Sequence, residues 1–342
     1  MDHLNTSSNQ SDFSSIFTKQ VLPPLYLTIF IVGLCLNGVA AWIFFRVLAD
    51  SGLVVYLKNI VVADLLMLSS YPFRVVASMG FGGGYLQAIS CRYTAVLFYF
   101  SMYVGILFIG FISLERYVKV VHHTPSSSAS SCRSRFHGVS MLQRLQSPKF
   151  ARMLALLTWG LLLLCCLPNA ILTNWPVNKD KLSNCMKLKT PLGKQWHQVS
   201  SFVSVSLFWV TMVSVVFSYT SIARQVYKSY RRVRQDNGDI CRRSNRSIFS
   251  ILAVFFICFV PYHVCRVPFT LSQMPWSGFS WDVRFLLYQI KEGTLFLSAL
   301  NVCLDPVIYF LMCRTFRESL LRKLSGRKRR RSLTTAQSLS NI

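Results

Sequence analysis

The chain has 342 residues, of which 52% are hydrophobic and only 14% carry a charge. Soluble domains carry about 25% charged residues, so this composition favours one membrane-embedded bundle over two soluble domains. The formal charge of +25 comes from 37 Lys and Arg against 12 Asp and Glu. In a soluble protein such an excess indicates nucleic-acid binding. Here much of it flanks apolar runs, so we expect a lipid membrane and no nucleic acid as partner.

Seven apolar runs are long enough to cross a bilayer, which takes about 20 residues of helix. A segment in lipid must satisfy its own backbone hydrogen bonds, and these runs are far too long to be barrel strands. The predicted spans are 22–46, 54–77, 91–121, 150–172, 198–227, 246–271 and 286–312. The sequence therefore predicts an all-α, integral membrane bundle of seven helices.

The distribution of Lys and Arg predicts the orientation of the spans. Basic clusters lie between spans five and six and in the tail, 325–342, whereas the leader, 1–21, is mostly polar and has no cleavable signal pattern. We therefore expect a multi-pass plasma-membrane protein with a cytoplasmic tail and an extracellular N-terminus. Asn5 and Asn9 each begin an Asn-X-Ser/Thr tripeptide, so both are predicted glycosylation sites.

Two of the 11 cysteines stand apart from the others. In the predicted topology, Cys91 lies at the outer end of span three and Cys185 lies in the second outer loop. The remaining cysteines fall inside spans or on the cytoplasmic side, where thiols stay reduced. The sequence therefore predicts a disulfide between Cys91 and Cys185.

Four polar residues lie deep within the predicted spans. Asp64 is in the middle of span two, and Asn37, Asn301 and Asp305 lie at comparable depth in spans one and seven. Such groups are costly in lipid and are usually functional. Together they can surround water or a sodium ion, with Asp64 as the charged ligand, or they can form a structural hydrogen-bond cluster. Both interpretations are compatible with the sequence.

The tripeptide Glu115-Arg116-Tyr117 ends span three at the predicted inner face. An acid beside an arginine there can hold the guanidinium in a closed bundle and release it in an open one. A snorkelling arginine is the alternative interpretation. The position at the inner end of the third of seven spans favours a switch.

Prolines interrupt spans six and seven, in Phe259-Val-Pro261 and in Asp305-Pro306-Val-Ile-Tyr309. Each proline removes one backbone hydrogen bond and allows a kink. We expect these kinks to act as the pivots of a conformational switch.

These motifs, in this order, resemble those of the rhodopsin-like G-protein-coupled receptors over nearly the whole chain. Finer strings are similar to the purinergic nucleotide receptors, in the branch with the ADP and UDP-glucose receptors and a lysophosphatidic-acid-linked relative. The strings are Tyr56–Asp64, Leu97–Tyr99, Asn169–Asn174, Phe256–Pro268 and Lys291–Glu292. The resemblance implies a receptor that activates a heterotrimeric G protein of the inhibitory class, without a cofactor or enzymatic activity.

The predicted outer half of the chain is unexpectedly basic. The second outer loop has one acid, Asp180, beside Lys179, Lys181, Lys187, Lys189 and Lys194. Outer loops need no cations for topology, and a basic mouth over low-dielectric walls concentrates anions. These residues therefore predict an extracellular anionic ligand.

Side chains on three spans can bind such an anion. His263 and Arg266 are three residues apart and share one helix face, and Lys291 lies opposite them on span seven. Their donors suit a phosphate chain, and nearby aromatic rings suit a base or an acyl chain. The family resemblance adds a loop lysine and an acidic partner for the cations. The predicted ligand-binding residues are Tyr99, Lys189, His263, Arg266, Phe269, Lys291 and Glu292.

Three departures from the family pattern bear on the ligand. The N-terminal segment and the third outer loop contain no cysteine for the family's second outer disulfide, Ser201 replaces an Asn, and Phe269 lacks a tyrosine hydroxyl. We expect a nucleotide or nucleotide sugar, with a lysophospholipid as the alternative. A transporter is a distant alternative, because the chain has no evident internal repeat. A membrane hydrolase lacks a metal-binding His spacing or a Ser/His pair.

The predicted inner face completes the expected signalling apparatus. Segment 313–324 has the pattern of an amphipathic helix on the membrane, and Cys313 is a predicted palmitoylation site. Phosphorylation of the disordered tail would provide charge for an arrestin-like partner. The Ser-rich inner loop 122–149 is longer than the family pattern.

Overall fold

The structure is a computed structural model. It describes residues 13–46, 51–81, 83–122, 144–174, 185–232, 238–274, 276–312 and 314–324. The predictions for Asn5, Asn9, Cys313 and the tail 325–342 lie outside the described residues, as does most of the loop 122–149. Those predictions stay predictions.

Seven helical segments in the described part of the chain are long and apolar enough to cross a membrane. Six are α1 (Leu22–Phe44), α2 (Gly52–Ser78), α3 (Ala95–His122), α4 (Pro148–Ile171), α5 (Pro191–Arg232) and α6 (Gly238–Ser272). The seventh consists of α7 (Trp281–Ala299) and α8 (Asn301–Met312), and a shorter helix, α9 (Arg314–Leu324), follows. The predicted all-α, seven-span bundle is confirmed. Over the described ranges, the only β-type pairing is the isolated bridge between Thr173 and Lys189.

Several helices extend beyond the apolar runs that predicted them. Helix α5 begins at Pro191 and α6 begins at Gly238, so each starts several residues before its apolar run. Hydropathy detects only the part of a helix that suits lipid, whereas helical hydrogen bonds continue into polar sequence. Helix α3 is preceded by a short helix, Gly83–Ile89, and a π-helical turn, Ser90–Thr94.

The seventh span is interrupted at Leu300, between α7 and α8. Pro306 cannot donate a hydrogen bond to the carbonyl of Val302, one turn earlier. The Asn37 side-chain amide on α1 donates to that Val302 carbonyl oxygen at 2.6 Å and to the Gly33 carbonyl oxygen at 3.1 Å. Asn37 therefore satisfies the acceptor that the proline leaves open and ties α1 to the kinked span.

The deep polar residues form a connected set in the middle of the bundle. Asp64 accepts a hydrogen bond from the Tyr309 hydroxyl at 3.1 Å, and Asn301 donates to the Asp305 carboxylate at 2.7 Å. The side-chain carbonyl oxygens of Asn37 and Asn301 are buried and accept no hydrogen bond from any described residue. The bonds support the structural interpretation of this cluster. Oxygen atoms of this kind also suit a cation, so a sodium ion at Asp64 stays a prediction.

The short helix α9 is attached to this core by one aromatic side chain. Phe316 is buried and stacks on Phe44 of α1, with ring centroids 5.1 Å apart. Its ring also meets the edge of Tyr309 at 6.1 Å. The predicted amphipathic helix thus packs directly against the tyrosine that binds Asp64.

The Glu115-Arg116-Tyr117 motif lies at the end of α3, and its role as a switch stays a prediction. Glu115 is buried, and its carboxylate lies 3.8 Å from Nε of Arg116. The adjacent Tyr117 packs against Phe217 of α5, with ring centroids 5.4 Å apart. Phe259, one helical turn beyond Phe255, is buried at the centre of α6.

Replacing Asn37 with alanine tests its bond to the kinked span. We expect Asn37→Ala to lower the melting temperature of the purified receptor, because an unsatisfied buried carbonyl costs about 1–3 kcal/mol. Thr28→Ala is the matched control, since Thr28 is exposed and donates to the Pro24 carbonyl of its own helix. Equal melting temperatures for the two variants would contradict this role of Asn37.

Candidate ligand-binding site

A cavity of about 780 Å³ opens among the helices at one end of the bundle, which we call the cavity end. Its volume lies in the range of about 300–1,000 Å³ that is usual for small-molecule sites. The disulfide between Cys91 and Cys185 lines the same cavity, with a Cα–Cα distance of 5.4 Å. The predicted disulfide is therefore confirmed, and it holds the segment after α4 against the start of the third span.

Lys189 is held over the cavity by backbone pairing. Asn174 donates to the Leu188 carbonyl at 2.8 Å, and Thr190 donates to the Leu172 carbonyl at 3.1 Å. The Lys189 ammonium donates to the side-chain oxygen of Asn169 at 3.2 Å. The loop lysine is therefore ordered before any ligand arrives.

Burial, together with the nearby positive charge of Arg266, lowers the pKa of Lys189 to about 8. An anion placed beside Lys189 would oppose both effects. Ligand binding at this position is therefore expected to favour the protonated ammonium.

Arg266 lies at the centre of the cavity wall formed by α5 and α6. Its guanidinium donates to the Ser201 hydroxyl at 2.9 Å and contacts Nε2 of His197 at 3.3 Å. The guanidinium carbon also lies 5.4 Å from the centre of the Tyr99 ring. These neutral partners orient the charge without neutralising it.

The orientation of His197 follows from its partners. An arginine can only donate, so Nε2 of His197 accepts and Nδ1 carries the proton. Nδ1 lies 3.3 Å from the side-chain oxygen of Asn169, which also accepts from Lys189. Asn169 thus joins the histidine and the lysine into one network around Arg266.

In the part of the chain that the structure describes, no carboxylate lies within ion-pair distance of Arg266 or Lys189. We call Lys189, His197, Ser201 and Arg266 the basic cluster. Two largely buried cations without an acid within ion-pair distance are expensive to keep charged. Such a cluster is suited to bind an anion that supplies the missing charge.

A second group of charges lines the opposite side of the cavity. Glu292 forms ion pairs with both Arg74 of α2 and its neighbour Lys291. The Lys291 ammonium also lies 5.1 Å from the Phe269 ring centre and 4.9 Å from that of Tyr288. We call Arg74, Lys291 and Glu292 the paired cluster. It carries one net positive charge, because two cations share one acid.

Tyr99 connects the two clusters. Its partly buried ring stacks on Tyr262 with ring centroids 6.2 Å apart. Its hydroxyl interacts electrostatically with Lys291 as well as with Arg266. Tyr99 and the buried Phe269 both line the cavity, as the sequence predicted.

His263 is the predicted ligand contact that the structure does not bring to the cavity. It is fully buried and does not belong to the cavity lining. Its Nδ1 lies 2.7 Å from the Phe259 carbonyl oxygen, its Nε2 lies 3.1 Å from the Tyr103 hydroxyl, and its ring stacks on Phe208 at 3.7 Å. His263 shares a helix face with Arg266 but lies one turn deeper, so both nitrogens are used within the bundle.

Sequence reasoning missed several residues of the site. His197 was not predicted as a site residue because it lay outside the predicted fifth span, which began at 198, whereas the helix begins at Pro191. The spacing of His197 and Ser201, which are four residues apart on one helix face, was the available signal. Asn169 gave no signal of its own, since its role depends on the loop lysine that folds back over it.

Comparison with known proteins defines the class. The family described as 7 transmembrane receptor (rhodopsin family) matches residues 36–309. The chain belongs to this family of G-protein-coupled receptors, as the motifs predicted. It is therefore a multi-pass plasma-membrane receptor and not an enzyme. It responds to an extracellular ligand and acts on a heterotrimeric G protein.

Individual relatives narrow the resemblance. Purinoceptor 14 from Bos taurus is 42% identical over 311 residues, which cover 91% of this chain and 87% of the relative. G-protein coupled receptor 87 from Mus musculus is 42% identical over 98% of this chain and 88% of its own length. Purinoceptor 13 from Homo sapiens is 36% identical over 94% of this chain and 84% of its own length. The predicted resemblance to this receptor branch is confirmed.

Removing the acid of the paired cluster should destabilise the receptor. Glu292→Gln leaves Arg74 and Lys291 without a carboxylate, and breaking a buried ion pair costs about 3–5 kcal/mol. We expect a marked fall in melting temperature, partly reversed by adding Lys291→Met. Asp282→Asn, which changes an exposed acid on the same helix, is the control. A Glu292→Gln receptor as stable as the control would contradict the pairing.

Proposed function

We propose that this receptor binds an extracellular nucleotide or nucleotide sugar in the cavity and activates a G protein of the inhibitory class. The observation that carries the proposal is the basic cluster, with its two cations, Lys189 and Arg266, and no carboxylate among the described residues within ion-pair distance of them. Two of the relatives bear the name purinoceptor, which supports a ligand of this chemical class.

In this proposal the cavity end faces the outside of the cell, together with the N-terminus. Two features support this orientation. The Cys91–Cys185 disulfide at the cavity end suits an oxidising space. The end of α5 and α9 both lie at the other end of the bundle, and in the sequence each is followed by a segment rich in Lys and Arg.

The two clusters suggest how such a ligand is oriented. Arg266 and Lys189 present charged donors to a phosphate group, and a guanidinium binds two phosphate oxygens at once. Tyr99 offers the face of its ring to a base between the clusters. The paired cluster, with one net charge, suits a second phosphate or the hydroxyl groups of a sugar, since Arg74 donates and Glu292 accepts.

A path of contacts leads from the cavity to the predicted pivot of α6. Tyr103 lines the cavity, and its hydroxyl contacts Nε2 of His263. His263 in turn donates to the Phe259 carbonyl, two residues before Pro261. A ligand that moves Tyr103 therefore acts on the kink through His263. The ligand shifts the receptor toward an open state only if it binds that state more tightly, and opening then separates Arg116 from Glu115.

A lysophospholipid is the second candidate. Ser201, which donates no amide hydrogen bond, stands where the family pattern has an asparagine, and its hydroxyl already accepts from Arg266. This position therefore offers no side-chain amide to a nucleotide base. Phe269 offers an apolar ring without a hydroxyl, which suits an acyl chain as well as a base. The phosphate of either ligand would bind the same basic cluster. An assay that compares nucleotides with lysophosphatidic acid distinguishes the two candidates.

A nucleotide-exchange assay with purified receptor and G protein tests the proposal directly. We expect ADP or a UDP-sugar to stimulate exchange, and we expect Arg266→Ala to raise the half-maximal concentration about 10- to 100-fold, because a charge-assisted hydrogen bond contributes about 1.5–3 kcal/mol. Lys291→Ala should have a smaller effect in the same direction, since Glu292 already pairs with that lysine.

Arg284→Ala is the matched control, because Arg284 lies on α7 but does not line the cavity. Stimulation by lysophosphatidic acid alone would favour the second candidate. Stimulation by any phosphate-bearing ligand that both Arg266→Ala and Lys291→Ala leave unchanged would contradict the proposed site.

The depressed pKa of Lys189 predicts how binding depends on pH. The free receptor loses the ammonium charge as pH rises through about 8, whereas a bound phosphate keeps Lys189 protonated to higher pH. Relative to pH 7, affinity for the activating nucleotide should therefore be about twofold weaker at pH 8 and about tenfold weaker at pH 9.

Lys189→Arg should remove this pH dependence while keeping the charge, because arginine stays protonated throughout this range. Direct binding measurements at pH 7, 8 and 9 check both statements. The same pH profile in the wild-type receptor and in Lys189→Arg would show that Lys189 does not titrate at the binding site.

A further inference from the structure

The N-terminal segment, residues 13–21, folds back over the cavity. Ser15 and Thr18 form reciprocal hydrogen bonds between side chain and backbone, at 2.9 and 3.2 Å, which shape the first turn. The π-helical turn Phe17–Val21 then continues into α1, whose first residues, Leu22 and Pro23, are buried. Within this segment Phe13, Ser14, Thr18, Lys19 and Gln20 line the cavity. The segment is therefore one wall of the site, with a firmly packed base.

Gln289 on α7 holds the far end of this wall. Its side-chain amide nitrogen donates to the Phe13 carbonyl oxygen at 2.8 Å. Its side-chain oxygen accepts from the Ser15 hydroxyl at 2.7 Å. Both polar atoms of one side chain are thus used to attach the segment. Gln289 itself does not line the cavity, so its role in the site is to position the wall.

An aromatic contact accompanies these hydrogen bonds. The Phe13 ring stacks on Tyr288 with ring centroids 5.7 Å apart and on Trp281 at 6.3 Å. The same Tyr288 ring lies 4.9 Å from the Lys291 ammonium. The wall and the paired cluster of the ligand site therefore share one side chain, so a ligand that moves Lys291 also acts on the attachment.

The attachment is entirely non-covalent. The chain has no cysteine in 1–21 or in 272–285, the stretch that leads into α7. Two hydrogen bonds to Gln289 and the stacking of Phe13 on Tyr288 and Trp281, each contributing about 1 kcal/mol, hold the Phe13 end closed but allow it to open. Phe17 packs against the core, so opening is a local movement of the Phe13 end, and local openings of this kind occur far more often than unfolding of the core.

From these contacts we propose that residues 13–21 form a movable wall of the ligand site, which Gln289 and Phe13 hold closed and which controls passage of solutes into the cavity. The proposal rests on the proposed function in one respect, namely that ligands reach the cavity from this end. It adds Gln289 as a positioning residue that the family motifs do not indicate.

A thiol that faces the cavity provides a test without any natural ligand. Cys166 on α4 is partly exposed and lines the cavity. The rate at which an anionic, membrane-impermeant methanethiosulfonate modifies Cys166 in the purified full-length receptor measures access. We expect Gln289→Ala to increase this rate roughly tenfold, since two hydrogen bonds are lost, and Phe13→Ala to increase it severalfold.

Three controls accompany the rates. Cys166→Ser identifies the modified residue, melting temperatures show that each variant is folded, and Trp276→Ala removes an exposed aromatic side chain elsewhere at the cavity end. Ser15→Ala removes the bond to Gln289 and the bond from the Thr18 amide but keeps the Gln289–Phe13 bond, so it should give an intermediate rate. Unchanged rates in both Gln289→Ala and Phe13→Ala, including no reaction in any variant, would overturn the proposal. The reagent contains no nucleotide, so the modification rates test the movable wall independently of the exchange assay. Failure of the proposed nucleotide ligand would leave the expected rates unchanged.

Discussion

The bundle buries positive charge that its own described residues do not neutralise, and this constraint shapes the cavity end. Arg266 and Lys189 are oriented by Ser201, His197 and Asn169, all of which donate or accept without adding a negative charge. The disulfide and the short backbone pairing beside Lys189 fix the loop that carries the ammonium. On the other side of the cavity Glu292 satisfies Arg74 and Lys291. The basic cluster therefore carries more unpaired positive charge than the paired cluster, and it is the side of the cavity better suited to an anion.

The same requirement for satisfied polar groups governs the rest of the bundle, where each proline leaves a carbonyl without its helical partner. Asn37 from α1 donates to the carbonyl that Pro306 leaves open. In α6, Pro261 leaves open the carbonyl of Ile257. Next to it, the Cys258 carbonyl accepts from Ser298 of α7 at 2.8 Å, and the Phe259 carbonyl accepts from the side chain of His263 at 2.7 Å. Asn37 of α1 and Ser298 of α7 thus tie neighbouring helices to the two kinked regions. Because these bonds are specific, a change at the cavity can reach the opposite end by exchanging them rather than by bending the helices uniformly.

Sequence patterns predicted the fold because hydropathy and the spacing of charges report directly on lipid-crossing helices, and seven runs were long enough to be unambiguous. Arg266 and Lys291 were predictable as candidates because cations at the outer helix ends are not needed for topology, and Tyr99 because the resemblance to the family pointed to it. His263 was assigned to the ligand since its helix face was right, but depth along a kinked helix cannot be read from spacing. The roles of Asn169 and Gln289 depend on segments that fold back from distant parts of the chain, which no local pattern records.

An experimental structure of the receptor bound to its activating phosphate-bearing ligand tests the central claim most directly. The account predicts a phosphate group within hydrogen-bond distance of the Arg266 guanidinium and the Lys189 ammonium, with the remainder of the ligand extending past Tyr99 toward Arg74 and Glu292. A phosphate bound outside the cavity, or one that contacts neither Arg266 nor Lys189, would contradict the account.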